Sequence, residues 1–235
     1  MPRLRAVPWR RVLAEFIAIF AGVFMGLFAD QWWQDRADRS REIGALQDML
    51  AELQEDADDL ERISQRAHAW SESGLWMVQH RGADLPPDSV WAALSPLFFR
   101  DSYDPRSAAY TSLRDAGQLA LISDPALRRQ VVEYFETGQA GAYRHYLRAL
   151  AMFDDLLVAS RPHFEWSVAS DAKTLYDGWH YSMVRPWAQT SRDRLLTGAM
   201  LNVALFGTSL SERLDSVVEQ NRVLRRAISD FTVGR

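Results

Sequence analysis

Five histidines, His68, His80, His145, His163 and His180, are the residues of this chain best suited to acid–base work or metal ligation. None belongs to an HExxH pair, the helical spacing that turns two imidazoles towards one ion, and no cysteine exists to complete a zinc set. His163 and His180 share a segment with Glu165, Asp171 and Asp177, so a metal centre there would have to be assembled by folding. Scattered, hydrogen-bonded histidines are the simpler expectation, because zinc ligands normally lie closer together in sequence. Seven acids and no base fall between Asp48 and Glu61: Asp48, Glu52, Glu55, Asp56, Asp58, Asp59 and Glu61. A calcium loop needs a glycine at its sharp turn, and none is present, so these acids are expected to form a solvated face. There is no glycine-rich phosphate loop, no GxSxG elbow and no serine in the setting of an activated nucleophile. The expectation is a non-catalytic protein with no metal and no cofactor.

The elements that would position these side chains begin with the first 36 residues. Phe16 to Ala29 holds no charged or polar side chain, and the apolar run reaches back to Val12 across Glu15. The stretch from Val12 to Ala29 makes roughly 27 Å of helix, close to the hydrocarbon thickness of a bilayer. Trp9 flanks one side, and Trp32 and Trp33 flank the other, where an indole can bury its ring and still bond its N–H. A cleaved secretory signal has a similar start, but cleavage after Ala29 would put Leu27 where a small side chain is required. The segment therefore reads as a retained single-pass anchor. Arg3, Arg5, Arg10 and Arg11 precede it without any acid, whereas Arg36, Arg39 and Arg41 follow it among Asp30, Asp35 and Asp38. That bias predicts a cytoplasmic N-terminus, with the main domain on the periplasmic side of an inner (cytoplasmic) membrane.

The remainder of the 235 residues is long enough for one domain with a real core. A net charge of −4 argues against nucleic acid as a partner. After the anchor, Ile43, Leu46, Leu50, Leu53, Ala57 and Leu60 recur at alternating spacings of three and four, continued by Ile63, Ala67 and Trp70. That is the seam of a coiled-coil-like helix, so the anchor is expected to run on as a stalk. Pro86-Pro87-Asp88 starts a short helix that Pro96 ends or kinks, and Asp104-Pro105 and Asp124-Pro125 read as caps with proline at the first helical position. The helix from Leu127 to about Ser160 should kink near Gly138 and Gly141. A last one runs from about Ser191 to Ile228, with Leu195, Met200, Val203, Leu210, Leu214, Val217, Leu224 and Ile228 as core and Gly198 and Gly207 as weak points. No run of alternating strands appears. The expected fold is all-α, with residues 1–11 a cytoplasmic tail, 12–33 a transmembrane helix and 34–81 a stalk helix. Residues 82–235 form an irregular four- or five-helix bundle carrying an aromatic loop at 161–190.

Ala14-Glu15-Phe16, Gly22-Val23 and Asp30-Gln31-Trp32, leading into a charged helix, resemble an uncharacterised family of bacterial single-span membrane proteins. Tyr110-Thr111-Ser112-Leu113, Gly117, Leu121-Ile122-Ser123-Asp124, Leu127 and Tyr134 are similar to a second motif of that family. Together the two cover roughly a third of the chain. The resemblance implies an architecture, an N-terminal transmembrane helix with a helical domain outside the membrane, and no activity.

Two further patterns suggest contacts. Ala18, Gly22 and Gly26 lie four residues apart, a small-residue strip on which another transmembrane helix can approach closely. Phe16, Phe20, Phe24 and Phe28 form a bulky ridge beside it. The loop at 161–190 holds Trp166, Trp179 and Trp187 as candidate partner-docking residues, with a lid over the bundle core as the competing reading. The function expected first is an accessory subunit that inserts one helix into a membrane complex, respiratory or photosynthetic, with the lipid bilayer and other transmembrane subunits as partners. A membrane-anchored periplasmic sensor or ligand-binding module is the alternative, and an enzyme is expected least.

Overall fold

The computed structural model describes residues 9–168 and 179–234, and only the backbone at 9–12, 14, 15, 166, 168 and 179–181. Helix α1 runs unbroken from Trp9 to Gln79, 71 residues free of proline. The rest of the chain folds back on its second half. Helix α2 (Pro87–Leu94) leads into a 3₁₀ turn (Ser95–Phe98), and α3 (Ala108–Asp115) into another (Leu119–Leu121). Helix α4 (Pro125–Val132) passes through a π segment (Glu133–Gln139) into α5 (Ala140–Ser160). A ribbon of β1 (Phe164–Val168) and β2 (Trp179–Met183), the one-turn helix α6 (Trp187–Thr190) and the 40-residue α7 (Arg194–Val233) complete the chain. The fold is all-α apart from that ribbon.

The core is built on α1 and α7 packed antiparallel. On α1 the buried stripe is Leu46, Met49, Leu53, Leu60, Ile63, Ala67 and Trp70, and Met77 extends it. Met49 takes an inward place where the spacing pointed to Leu50, which packs only at the edge. The facing stripe of α7 includes Leu196, Met200, Val203, Leu210, Leu214, Val217, Leu224 and Ile228. Leu195 does not join it: it lies on the outer face of the first turn, 80% exposed, and its neighbour Leu196 goes inward. Helix α7 runs on unbroken through Gly198 and Gly207. A Cβ at Gly207 would lie 2.8 Å from the Ala67 carbonyl oxygen and 2.9 Å from the Trp70 Cβ, so this glycine is a notch that lets the two backbones meet. Gly74 plays the same part on α1, where an added Cβ would sit 2.0 Å from the Ala204 Cβ. The stretch read as a stalk thus supplies a core helix of the bundle from Glu42 onward.

Three local expectations change. Asp124 caps α4 as its sequence suggests, its Oδ1 accepting from Ala126 N at 2.7 Å and Leu127 N at 3.2 Å. Asp104-Pro105 does not start a helix. Helix α3 begins at Ala108, where the Glu52 carboxylate of α1 accepts from Ala109 N at 2.9 and 3.1 Å and so caps it from a distant element. The kink expected near Gly138 takes the form of the seven-residue π segment. Finally, the loop at 161–190 is partly ordered as an antiparallel ribbon, with Phe164 opposite Met183 and Trp166 opposite Tyr181, followed by α6. FEWSV and WHYSM are rich in aromatic residues, which suit a pleated strand, but five residues are too few to declare one.

Candidate functional site

The first half of α1 is a long surface that the other described residues leave bare. Among the described residues it is the single helix long and apolar enough to cross a membrane, and its apolar window has no burial against the rest of the molecule. Leu13, Phe16, Ile17, Ile19, Phe20, Val23, Phe24, Met25, Leu27 and Phe28 are all exposed. Residues apolar on every side of a helix have no single face to turn towards a core, which is why this half cannot pack like the second.

Within it the geometry is ordered. Ala18 is exposed, and a Cβ added at Gly22 or Gly26 would meet nothing within 4 Å, so the small-residue strip is open along its length. Beside it the rings of Phe16 and Phe20 stack at 6.3 Å and those of Phe20 and Phe24 at 6.0 Å. Trp32 and Trp33 meet edge to face at 5.6 Å and are 53% and 65% exposed. The Arg36 guanidinium sits 5.9 Å over the Trp32 ring, a cation at the point where the apolar run ends. Trp9 lies at the start of α1, but its side chain is outside the described residues. At the root, Glu42 is buried, and its Oε1 accepts from Ser123 N at 2.6 Å. This bond joins the emerging helix to the bundle.

Of the two readings of the aromatic segment, its end fits the lid over the bundle core. Trp187 is not a docking residue: it is fully buried, its Nε1 donates to the His80 carbonyl at 2.9 Å, and its ring lies 6.1 Å from that of Trp76. Phe164 packs edge-on against Phe98 at 5.5 Å. These contacts make the end of the segment a lid on its own bundle. The side chains of Trp166 and Trp179 lie outside the described residues; their backbones sit in the ribbon, opposite Tyr181 and Val168.

The histidines are dispersed. His68 Nε2 lies 3.0 Å from Asp215 Oδ2, and the other oxygen of that carboxylate accepts from Ser64 Oγ. With the acid between serine and imidazole, no proton relay to the hydroxyl exists. His145 Nε2 meets Ser209 Oγ at 3.0 Å, and burial together with Arg213 and Arg148 holds this imidazole below its ordinary pKa. No carboxylate orients it among the described residues. His163 pairs with Asp193 Oδ2 at 3.2 Å, while Asp193 Oδ1 caps α7 through Leu195 N and Leu196 N. His80 bonds the Trp76 carbonyl, and the side chain of His180 is outside the described residues. Among the described residues no three acids or histidines converge on a point that would hold a metal ion.

One polar cluster was overlooked. Asp56, read above as part of a solvated face, is fully buried among Tyr134, Gln139 and Asn221. Its position held the signal: Asp56 follows Leu53 by three residues and precedes Leu60 by four, and Asn221 holds the equivalent place between Val217 and Leu224. Both are polar residues on a seam, where burial has to be offset by hydrogen bonds. Compared with known protein families, curated proteins and solved structures, the chain matches none.

Proposed function

We propose that this chain is a non-catalytic accessory subunit of a membrane protein complex. The first half of α1 inserts among other transmembrane helices, and the bundle stands outside the membrane and stabilises the assembly. The observation that carries this reading is the continuity of α1: one helix with a seam that its own bundle covers and an apolar half that none of the other described residues covers. In lipid that half needs no core, because every side of it meets an apolar solvent. Ala18, Gly22 and Gly26 offer a partner helix a close approach, and Trp32 and Trp33 mark the far headgroup zone. The basic residues before the span favour a cytoplasmic N-terminus and a periplasmic bundle in an inner membrane.

Purification of the full chain in mild detergent tests the reading. Stoichiometric co-purification with other membrane subunits is expected, whereas a lone monomer or homodimer overturns it. Gly22→Leu should then release the partner without unfolding the bundle. A phosphatase fused after Arg235 should be active if the bundle is periplasmic, and inactivity reverses the orientation.

A further inference from the structure

Tyr134 and Gln139 stand five residues apart, a spacing that in an α-helix sets side chains about 140° apart around the axis. The wider i→i+5 turns of the π segment bring the two onto one side. Both reach the same atom: the Tyr134 hydroxyl donates to Asp56 Oδ2 at 3.2 Å, and the Gln139 amide donates to it at 2.9 Å. Gln139 spends its other hydrogen on the Arg106 carbonyl at 3.0 Å. Asn221 of α7 donates to the Tyr134 oxygen at 3.0 Å and to the Leu53 carbonyl at 3.1 Å. All the donor hydrogens of these three side chains are used, yet Asp56 Oδ1 and Asn221 Oδ1 are buried and accept nothing. These four side chains hold more acceptors than donors, and around them the Tyr103 hydroxyl and the Arg225 Nε are also buried without a partner.

It also has no cation in direct contact among the described residues, although the Arg106 guanidinium feels its charge from a distance. The groups that face Asp56 are Asp59 on its own helix, Tyr103 and Arg106 from the segment before α3, and Tyr134 from the π segment; Arg225 of α7 acts on Tyr134. The Arg106 guanidinium is turned away, to Glu55 at 3.0 Å and Asp59 at 2.9 Å. Asp56 makes no ion pair among the described residues, and a buried carboxylate that meets only neutral donors is costly when ionised.

We propose that Asp56 is a proton-binding site at the junction of α1, the π segment and α7, where one proton supplies the donor the cluster lacks and removes an unpaired buried charge. Acidification then tightens the hold of α1 on the other two elements. The titration runs in the same direction: burial raises the Asp56 carboxyl above its ordinary value of 3.8, outweighing the lowering effects of Gln139, the Arg106 backbone amide and Tyr134. The folded chain keeps this proton to higher pH than the unfolded chain. The resulting stability is complete below the ordinary carboxylate value and is lost as pH rises through the folded value. The inference stands on the buried cluster and does not depend on the membrane reading.

The test compares melting of the full chain in detergent with that of Asp56→Asn, from about pH 4 to about pH 8. Asparagine keeps an oxygen for Tyr134 and Gln139 and places an amide donor where Oδ1 stands. The variant should melt above the unmodified chain at the alkaline end, by about 2–4 °C, and the gap should close on acidification. Asp59, Glu136 and Asp193 are held below their ordinary values and titrate in the opposite sense, so the difference between the two proteins reports Asp56 together with its repulsion from Asp59. A gap that does not change with pH, or a variant that melts lower throughout, overturns the proposal. Tyr134→Phe removes a donor from the anion and should move the transition to higher pH; an unmoved transition overturns it as well. Hydrogen exchange at 133–139 in the unmodified chain needs no substitution. Corrected for intrinsic rates, protection should rise on acidification over the same range, and flat or falling protection overturns the proposal.

Discussion

The two halves of α1 share one backbone and follow opposite rules of burial. From Leu13 to Phe28 the described side chains are apolar and exposed; from Glu42 to Met77 polar residues make up half of the sequence, and a single apolar stripe is buried. Apolar content therefore does not decide which half joins a core. Periodicity does: a stripe repeating at three and four residues can be covered by one antiparallel partner, as α7 covers it, whereas a helix apolar on every side cannot. The glycines show the same contrast at atomic scale. Gly22 and Gly26 open onto nothing within 4 Å, while Gly74 and Gly207 are the points where two backbones touch.

The largest expected effect breaks the comparison outright. Deletion of residues 1–33 should move the protein from the membrane fraction to the soluble one and leave a bundle that still melts cooperatively. Fractionation and circular dichroism read the two outcomes, and loss of the cooperative melt would mean that the bare half supports the buried one. Trp187→Ala comes next. Emptying a fully buried tryptophan site should cost about 3–5 kcal/mol of bundle stability, whereas Phe20→Ala should leave the melt unchanged. A smaller effect sharpens the contrast between the glycines. Gly207→Ala should destabilise the bundle by about 1–3 kcal/mol through overpacking against the Ala67 carbonyl, and Gly26→Ala should have no effect on the same melt. The smallest concerns the start of α7, where Asp193→Ala should cost about 1 kcal/mol through loss of the cap. The amides of Leu196 and Leu195, then His163, hold the Asp193 carboxyl below its ordinary 3.8. Its contribution is therefore complete above that value and lost as pH falls through the folded value, so the penalty of the substitution should shrink in acid.

The parts of this fold that could be read in advance are those that short-range physics decides. The seam from Leu46 to Trp70, the cap at Asp124 and the stripe from Met200 to Ile228 follow from residue spacing alone. The start of α3 could not be read, because the group that caps it is Glu52, 57 residues away on α1. Locally, Asp104-Pro105 looked the better start, and a tertiary hydrogen bond outweighed it. Glu42 does similar work at Ser123 N, so two acids of α1 that read as surface charge are ligands for distant backbone amides. Asp56 was missed for a related reason. A lone acid on a seam looks like an error in the pattern until Tyr134 and Gln139 arrive from elsewhere to bond it, with Asn221 bonding Tyr134 in turn. The bare half was legible as a long apolar helix by its composition, and among the described residues nothing packs against it.

The continuity of α1 has a mechanical side. No proline interrupts its 71 residues, and Gly44 is the one glycine between Gly26 and Gly74. From Trp33 to Gln79 the helix is an arm of about 69 Å, with the bundle clasped around its outer part. Rocking the apolar end by about 10° swings Gln79 sideways by about 12 Å. A small change of angle at one end becomes a displacement as wide as a helix at the other, carried by the backbone itself with no hinge to absorb it.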